Sequence, residues 1–526
     1  MKKTMCIFGR SFYRERTADG AAMLLRCGTA VLVCLLTGCT VGPKYHPPSM
    51  QAPAAYKQSP ANPRNSEAST GQKPGPWAVA KPQDAQLRGA WWEIFNDPDL
   101  NALENQLNIN NQNIKVYFQN FMESRALIRE ARSQYFPTFG TAPSYNRQRS
   151  SANLTNSTTA NVGKTSQLYS LPFDLSWEPD LWGKVRNEVH EYEYSAQMSA
   201  ADLENERLTE QATLAEYFFE IRGQDALIKL YGATVAADKK ALTLTQAQYE
   251  TGVGDKISVI EAQNTLESAE SSATNLGILR AQYENAIAML VGKAASGFTV
   301  PVKPGLQTPP PIPIGMPSQL LQRRPDVAAA ERTMASVNAE IGVGYAAFYP
   351  ALTLSASGGT ESSLAEHLFD WPSRFWSVGP SISQTIYNGG LYRAELHQYI
   401  AVYNADLATY RQTVLTAFQQ VEDALAAVRI LSQQIEQQRN VVASEQLALR
   451  LELARYKTGI DPYIDVVTVQ TTLLTDQQTL ATLQIEQMTD AVQLVEALGG
   501  GWNRSQLPTP SQVEAQPPAA QTKMQH

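Results

Sequence analysis

The sequence predicts a mainly α-helical, internally duplicated protomer that contributes four strands to a β-barrel part. Three observations predict this fold class: a motif that occurs twice, two very long helical patterns, and short segments of strict apolar alternation. Residues 248–252 (QYETG) return as 455–459 (RYKTG), 207 residues later. Residues 135–137 (YFP) return as 348–350 (FYP) after 213 residues. One supersecondary unit therefore occurs twice, and the two copies are predicted at 87–298 and 318–502.

The first 38 residues have the features of a targeting peptide and are excluded from the fold. Basic side chains precede a short apolar stretch at 30–36, well below the roughly 20 residues that a membrane-spanning helix needs. The stretch ends in Leu-Thr-Gly-Cys, which resembles a bacterial lipobox. In proteins with this pattern the chain is cut before the cysteine, which then receives lipid. The sequence therefore predicts lipidation of Cys39, with Met1 and Met23 both open as the translation start.

The mature chain is predicted to be acidic and lipid-anchored. Residues 1–38 carry six basic and two acidic side chains, so their removal changes the net charge from −7 to −11 and argues against nucleic acid as a partner. Cys39 is then the last of the four cysteines, which excludes a disulfide within the chain. Thr40 stands where an aspartate would indicate retention at the inner membrane, so the outer membrane is expected. Residues 39–86 are rich in Pro, Ala, Ser and Asn and are predicted to be an extended tether.

Two segments, at about 138–177 and 351–386, change from a helical period to a period of two. Tyr169, Leu171 and Phe173 alternate with polar residues, as expected for a strand with one face in lipid. The other face is rich in Ser and Thr with few charges, which argues against the alternative of half-buried hairpins in a soluble domain. Six aromatic residues are predicted to form a girdle at the membrane boundaries: Tyr169, Phe173, Trp177, Trp371, Phe375 and Trp376.

Four strands cannot close a barrel, and an open edge cannot remain in lipid. Other chains must therefore complete the sheet. Two copies would give eight strands and three would give twelve, and this physical argument does not choose between them.

Long helical patterns follow each predicted hairpin. Proline is absent from residue 184 to about 250 and from 391 to about 457. A helix of ~65 residues would extend ~100 Å, far beyond the needs of a globular core. Each pattern ends in a short turn and a return helix, which gives tips at 249–257 and 456–463. A Pro-rich linker is predicted at 299–317 and a disordered tail at 503–526.

These features together resemble the outer membrane efflux protein family, the TolC-like outer membrane factors, and in particular its NodT-type lipoprotein branch. The resemblance lies in residues 39–45 (CTVGPKY), 91–98 (WWEIFNDP), 177–184 (WEPDLWGK) and 323–327 (RRPDV), followed by 339–342 (AEIG) and 348–350. Together these segments span about residues 39 to 502.

The resemblance implies a homotrimer in the outer membrane, with a twelve-stranded transmembrane β-barrel on a periplasmic α-helical barrel. It also implies two partners: a periplasmic adaptor (membrane fusion) protein and an inner-membrane transporter of the resistance–nodulation–division type. The linker would lie at the equator of the periplasmic part. The helix turns would form the periplasmic tip that meets the adaptor, with contacts from Tyr249, Gly252, Val253, Tyr456, Gly459 and Ile460.

Relatives close the periplasmic entrance just after the tip, often with two acidic residues three positions apart. Asp465 matches the first position, whereas Thr468 replaces the second acid. Glu261, on the first-copy helix, is a candidate to supply the missing carboxylate. For Asp465 the alternative is a solvated residue stabilised by the helix dipole. For Tyr249 and Tyr456 the alternative is packing of neighbouring helices.

No catalytic or cofactor motif accompanies this architecture. The five histidines are scattered without metal-ligand spacing, and no nucleophile elbow or Walker loop occurs. The missing motifs argue against enzymatic activity, a metal or a cofactor, and the resemblance implies a passive duct that exports drugs or other toxic small molecules in a tripartite efflux pump. The alternatives are a type I secretion duct for polypeptides and a periplasm-spanning lipoprotein scaffold that conducts nothing.

Overall fold

A computed structural model describes residues 40–50, 52–53, 55–58, 89–151, 153 and 163–515. Its helices are α1 (Pro98–Asn110), α2 (Gln112–Ser133), α3 (Lys184–Glu250), α4 (Lys256–Leu290), α5 (Pro317–Arg323), α6 (Pro325–Ala346), α7 (Leu391–Lys457), α8 (Tyr463–Ala497) and α9 (Pro510–Glu514). Its strands are β1 (Thr138–Thr141), β2 (Ser144–Arg149), β3 (Thr165–Trp177), β4 (Ala351–Ser362) and β5 (Arg374–Ser383).

The duplication is visible as two matching pairs of helices. The long helices α3 and α7 each have 67 residues, and the return helices α4 and α8 each have 35. Each long helix is entered through a left-handed glycine, Gly183 (φ 77°) or Gly390 (φ 93°), a conformation that glycine adopts without steric cost. Among the helices of the described residues, none combines the length and the apolar character needed to cross a bilayer.

The strands form one antiparallel sheet in which the two copies meet. β1 and β2 both pair with β3 and together occupy the first strand position; β3 then pairs with β4, and β4 with β5. Thr141 pairs with Phe173 and Ser144 pairs with Ser170, so β1 and β2 keep one register across their gap. Pro143 lies in this gap, and because proline has no N–H it interrupts the ladder without shifting it. The four predicted strand positions are confirmed, with the first one divided in two.

The sheet has one apolar face along its whole width. Directly paired residues share a face, and Phe173 pairs with Gly358, which pairs with Trp376. The same face carries Tyr169, Leu171, Leu175, Trp177, Leu354, Ala356, Val378 and Ile382.

Two members of the predicted girdle differ from the expectation. Phe375 precedes Trp376 within β5, so it lies on the opposite face of the sheet, and its placement beside Trp376 in one girdle is wrong. Trp371 lies outside the strands, in the 3₁₀ turn Trp371–Ser373 between β4 and β5. The guanidinium carbon of Arg374 stands 4.0 Å from the centre of its ring.

The main hydrophobic core lies where the N-terminal helices meet α3, α4 and α8. The 3₁₀ turn Trp91–Phe95 opens the first copy, and Trp91 is fully buried. The indole N–H of Trp91 donates to the Oε1 of Gln211 on α3 at 3.1 Å. Asp97 caps α1 by accepting from two backbone N–H groups, with proline at the first helical position as the sequence predicts.

The Pro-rich linker runs without regular structure along α3 and α4. Two arginines hold its backbone: the buried Arg222 donates to the carbonyl of Pro301 at 3.0 Å, and the partly buried Arg280 donates to that of Val300 at 2.9 Å. Arg280 is in turn paired with the fully buried carboxylate of Asp225 at 2.7 Å. These hydrogen bonds hold the linker against α3 and α4.

The chain ends are more ordered than the composition suggests. The described part of 40–58 packs against the helices: the Tyr45 hydroxyl donates to Glu331 at 2.7 Å, and Tyr56 is buried. At the other end Val513 on α9 is buried, and Arg125 donates to its carbonyl at 2.8 Å. The prediction of a disordered tail is therefore wrong for residues 503–515. A few buried contacts are enough to order this segment despite its polar composition. Residues 516–526 lie outside the described part.

One carboxyl group in the core has no hydrogen-bond partner. Glu104, on α1, is fully buried, and neither of its side-chain oxygens is hydrogen-bonded. Burial raises the pKa of this carboxyl well above its usual 4.5 because the charged form loses its hydration.

We predict that Glu104→Gln raises the melting temperature of the detergent-solubilised protein at pH 8 but much less at pH 4. The proton retained by folded Glu104 stabilises the fold below the unfolded pKa of 4.5, and this contribution is lost as the pH rises. Because the entropy of unfolding grows with chain length, each kcal/mol recovered at pH 8 corresponds to about 1 °C in a chain of this size. Glu93→Gln, on the exposed Glu93, is the matched control. An equal effect of Glu104→Gln at both pH values would contradict the assignment of a neutral buried acid.

Candidate functional site at the helix turns

The two helix turns have the same backbone geometry. Gly252 (φ 77°) and Gly459 (φ 76°) are left-handed, as expected for the residue after a helix C-terminus. The N–H of Val253 donates to the carbonyl of Gln248, and the N–H of Ile460 donates to that of Arg455. These are the closing hydrogen bonds of a Schellman motif. Each glycine therefore fixes the direction in which the return helix leaves.

Apolar side chains are exposed at both turns. Val253 is 81% exposed, Ile460 is 67% exposed and Tyr249 is 47% exposed. Ile257 and Ile464, which occupy equivalent positions in the two copies, are also exposed on the first turns of α4 and α8. We call these five residues the tip surface. Solvent-exposed apolar groups clustered at one end of a molecule mark an interaction surface.

Tyr456 has a packing role that Tyr249 does not share. Its hydroxyl donates to the Oε1 of Gln248 and so links the two turns. Its ring lies 5.2 Å from that of Tyr463, which is buried together with Ala262 and Val466. This small cluster is the hydrophobic core of the tip and holds the two helical hairpins side by side.

Three carboxylates converge beside the second turn. One oxygen from each of Glu452, Asp461 and Asp465 lies within 4.8 Å of the other two. Arg455 pairs with Asp461, donating to its Oδ1 at 2.8 Å, and so fastens the end of α7 to the turn. Hydrogen bonding from Arg455 lowers the pKa of Asp461, whereas burial and the adjacent Asp461 raise the pKa of Glu452. We call Glu452, Arg455, Asp461 and Asp465 the tip charge cluster.

The predicted gate residues are brought together only in part. Asp465 is exposed in the first turn of α8 and belongs to the charge cluster. Thr468 is exposed one turn later, and its hydroxyl donates to the carbonyl of Ile464 at 2.8 Å. Glu261 is not a member of the three-carboxylate group. Burial is the main cause that raises the pKa of Tyr463 to about 12, and the negative charge of Glu261 adds to this effect.

Sequence reasoning missed three members of the charge cluster, namely Glu452, Arg455 and Asp461. The signal is weak because charged residues are common at helix ends. A comparison of the two copies does reveal it. Position 452 corresponds to Thr245, 455 to Gln248 and 461 to Gly254, so the cluster occurs in the second copy only.

The repeat also explains why only one of the two expected acidic gate positions is acidic in the second copy. Positions 465 and 468 correspond to Ser258 and Glu261 in the first copy. Each copy thus carries one acidic residue of the two, at complementary positions.

The lipidation site lies outside the described residues, but the residue after it is described. Thr40 packs against Gly183, where a Cβ would lie 3.0 Å from the Thr40 Cα. The N–H of Val41 donates to the carbonyl of Trp182 at 3.1 Å. The described chain therefore starts at the junction between β3 and α3.

The outer membrane efflux protein family model matches residues 103–293 and 316–500. Among curated relatives, the toluene efflux pump outer membrane protein TtgC of Pseudomonas putida is 31% identical over 478 residues, covering 90% of this chain and 95% of the relative. Outer membrane protein OprJ of Pseudomonas aeruginosa is 29% identical, covering 90% of this chain and 96% of the relative.

Solved structures agree in fold. The outer-membrane channel OprN has a TM-score of 0.78 and 27% identity, with 88% of this chain and 100% of that chain covered. The open-state MtrE outer membrane channel of Neisseria gonorrhoeae has a TM-score of 0.73 at 24% identity, covering 89% of this chain and 99% of that chain, and shows the fold alone. Two matched segments, one per copy, together with relatives that share nearly the whole length, establish that the chain belongs to the outer membrane efflux protein family.

Proposed function

We propose that this outer membrane efflux protein is the passive homotrimeric duct of a tripartite pump and exports toxic small molecules from the cell. A periplasmic adaptor and an inner-membrane transporter of the resistance–nodulation–division type would deliver the substrate. The names of the relatives, which include toluene and antibiotic efflux pump proteins, support this substrate class. The transporter supplies the energy, so the duct itself needs no catalytic group or cofactor.

The observation that carries the proposal is a one-sided sheet with open edges joined directly to two 67-residue helices. At 1.5 Å per residue each helix spans ~100 Å, which suits a tube that crosses the periplasm. The first strand and β5 are the two edges of the sheet. Three copies joined edge to edge would close twelve strands around a channel lined by the polar face.

The tip would be both the gate and the adaptor contact. Asp465 and the rest of the charge cluster would face the entrance, where contacts between neighbouring protomers close it. The tip surface would bind the adaptor through Val253, Ile460 and Tyr249, with the turns set by Gly252 and Gly459. Tyr456 would act from within, by coupling the two hairpins.

The anchor would be a lipid on Cys39, placed at the membrane boundary by the contacts of Thr40. Tyr169, Phe173, Trp177 and Trp376 would meet the lipid as aromatic residues of the barrel's outer face. Phe375 lies on the other face of the sheet and is therefore not part of this girdle.

We predict that Asp465→Asn widens the closed entrance. Loss of the negative charge weakens a closing contact between protomers, so single-channel conductance in a planar bilayer should rise several-fold above the low wild-type level. Glu267→Gln, which removes one exposed charge from α4 outside the cluster, is the matched control and should conduct as the wild type does.

Each conductance result has a distinct meaning. Equal conductance of wild type and Asp465→Asn would keep the duct and reject Asp465 as a gate residue. Folded, oligomeric protein that forms no pores in any variant would overturn the duct and leave a structural scaffold.

We also predict that Val253→Asp and Ile460→Asp weaken adaptor binding about tenfold each, or ~1.4 kcal/mol, because each places an unpaired charge in an apolar contact. Both side chains are largely exposed, so the fold should be unaffected. Biolayer interferometry with the purified adaptor measures the loss, and drug resistance of cells should fall with it. Val302→Asp, on the exposed Val302 of the linker, is the control. Unchanged affinity in both tip variants would place the adaptor contact elsewhere.

A further inference from the structure

A groove of about 300 Å³ opens at the junction between the sheet and the helices. Its walls include Trp182 and Val185 at the start of α3, Ala346 and Ala347 at the end of α6, and Tyr349 just before β4. The ring of Trp182 stacks on that of Tyr349 at 4.8 Å, and its indole N–H donates to the carbonyl of Pro350 at 2.8 Å. We call this site the junction groove.

The N-terminal segment runs along α6 toward this groove. Tyr45 contacts Glu331 near the start of the helix, and the carbonyl of Pro43 accepts from Asn338 at 3.1 Å further along. Gly42 (φ 119°) then meets Gly342, where a Cβ on Gly42 would lie 2.7 Å from the Gly342 Cα. Each step toward the N-terminus thus moves the chain toward the end of α6, where the groove begins.

Contacts with α3 lead the chain to the same place. Asn187 donates to the carbonyl of Val41 at 3.1 Å, and the N–H of Val41 donates to the carbonyl of Trp182. Thr40 lies against Gly183, between the groove residues Trp182 and Lys184. Covalent geometry keeps the Cα of Cys39 about 3.8 Å from that of Thr40.

We propose that the junction groove holds an acyl chain carried by Cys39 of the same protomer. The inference rests on the proposed lipidation of Cys39 and assigns the lipid a binding site within the protein. The lipid then holds the N-terminal segment against the helices, in addition to anchoring the protein in the membrane.

The lining matches the chemistry of a glyceryl-linked acyl chain. Trp182, Tyr349 and Val185 supply aromatic and aliphatic surface for methylene groups, each worth roughly 0.8 kcal/mol when buried. The ammonium group of Lys184 at the same site can donate a hydrogen bond to an ester carbonyl, whereas the carboxylate of Asp180 already accepts from the backbone N–H groups of Val185 and Arg186. The groove also adjoins Ala351 and Leu352, the first residues of β4, so it lies at the end of the membrane-embedded sheet.

The test is photo-crosslinking of the full-length protein in the membranes of cells grown with a diazirine-bearing fatty acid. After irradiation the protein is purified and digested, and its peptides are identified by mass spectrometry. We expect cross-linked peptide pairs that join lipidated Cys39 to peptides containing residues 182–185 or 346–349. Ala347→Phe fills the groove and should reduce these pairs several-fold. Ala405→Phe, at an exposed alanine of α7 outside the groove, should leave them unchanged.

The outcomes separate this inference from the proposals on which it depends. The mass of the N-terminal peptide is read first, and an unmodified Cys39 would overturn both the lipidation and the groove assignment. A lipidated Cys39 that cross-links only to phospholipids or to the outer face of the strands would overturn the groove assignment alone. A groove peptide carrying the mass of a phospholipid would identify a free lipid as the occupant and reject Cys39. The wild-type adducts decide the matter even if Ala347→Phe fails to assemble.

Discussion

The unpaired edges of the sheet are the constraint on which the rest of the structure depends. Each backbone N–H or C=O left without a partner in hydrocarbon costs several kcal/mol, so a sheet of four strand positions cannot stay open in a membrane. Its edges, the first strand and β5, must pair with strands of other copies. That requirement makes oligomerisation a condition of insertion. Because α3 follows β3 and α7 follows β5, closing the sheet from several copies also arranges these helices around the axis of the barrel.

Duplication supplies the helices in matched lengths. Because α3 and α7 have equal lengths, as do α4 and α8, both hairpins reach the same level and their turns end together. The two copies have diverged where they end. Glu452, Arg455 and Asp461 have uncharged counterparts in the first copy, so the architecture is repeated while the electrostatics of the tip are not. A tube built from such protomers alternates turns with and without this charge cluster around its mouth.

The sequence predicts most of this architecture because the signals are long and local. Helices without proline for more than 60 residues and strands with period-two alternation leave few alternatives, and α3 begins and ends within a residue of its predicted bounds. The prediction fails where one residue or a distant contact decides. Phe375 and Trp376 are adjacent aromatics in one strand, and the pleat alone places them on opposite faces. Residues 503–515 have a disordered composition, yet Val513 finds a buried site beside Ile128 and Ala196. The charge cluster was missed for the same reason, since Glu452 and Asp465 meet only across a turn.

Stability is unevenly distributed along the helices, and this bears on where the protein can move. Glu331 on α6 is buried and binds Tyr45, Arg332 and Arg504 at 2.6 to 3.0 Å, so the N-terminal and C-terminal segments are tied to α6 through one carboxylate. Such a buried polar network is costly to break, because each loss leaves a charge without a partner. The tip, in contrast, is held by the small core around Tyr463 and by the bond between Tyr456 and Gln248. Segments with few buried contacts open at the lowest free energy. The tip can therefore rearrange while the surroundings of Glu331 stay fixed, which is the distribution of rigidity that the proposed opening at the tip requires.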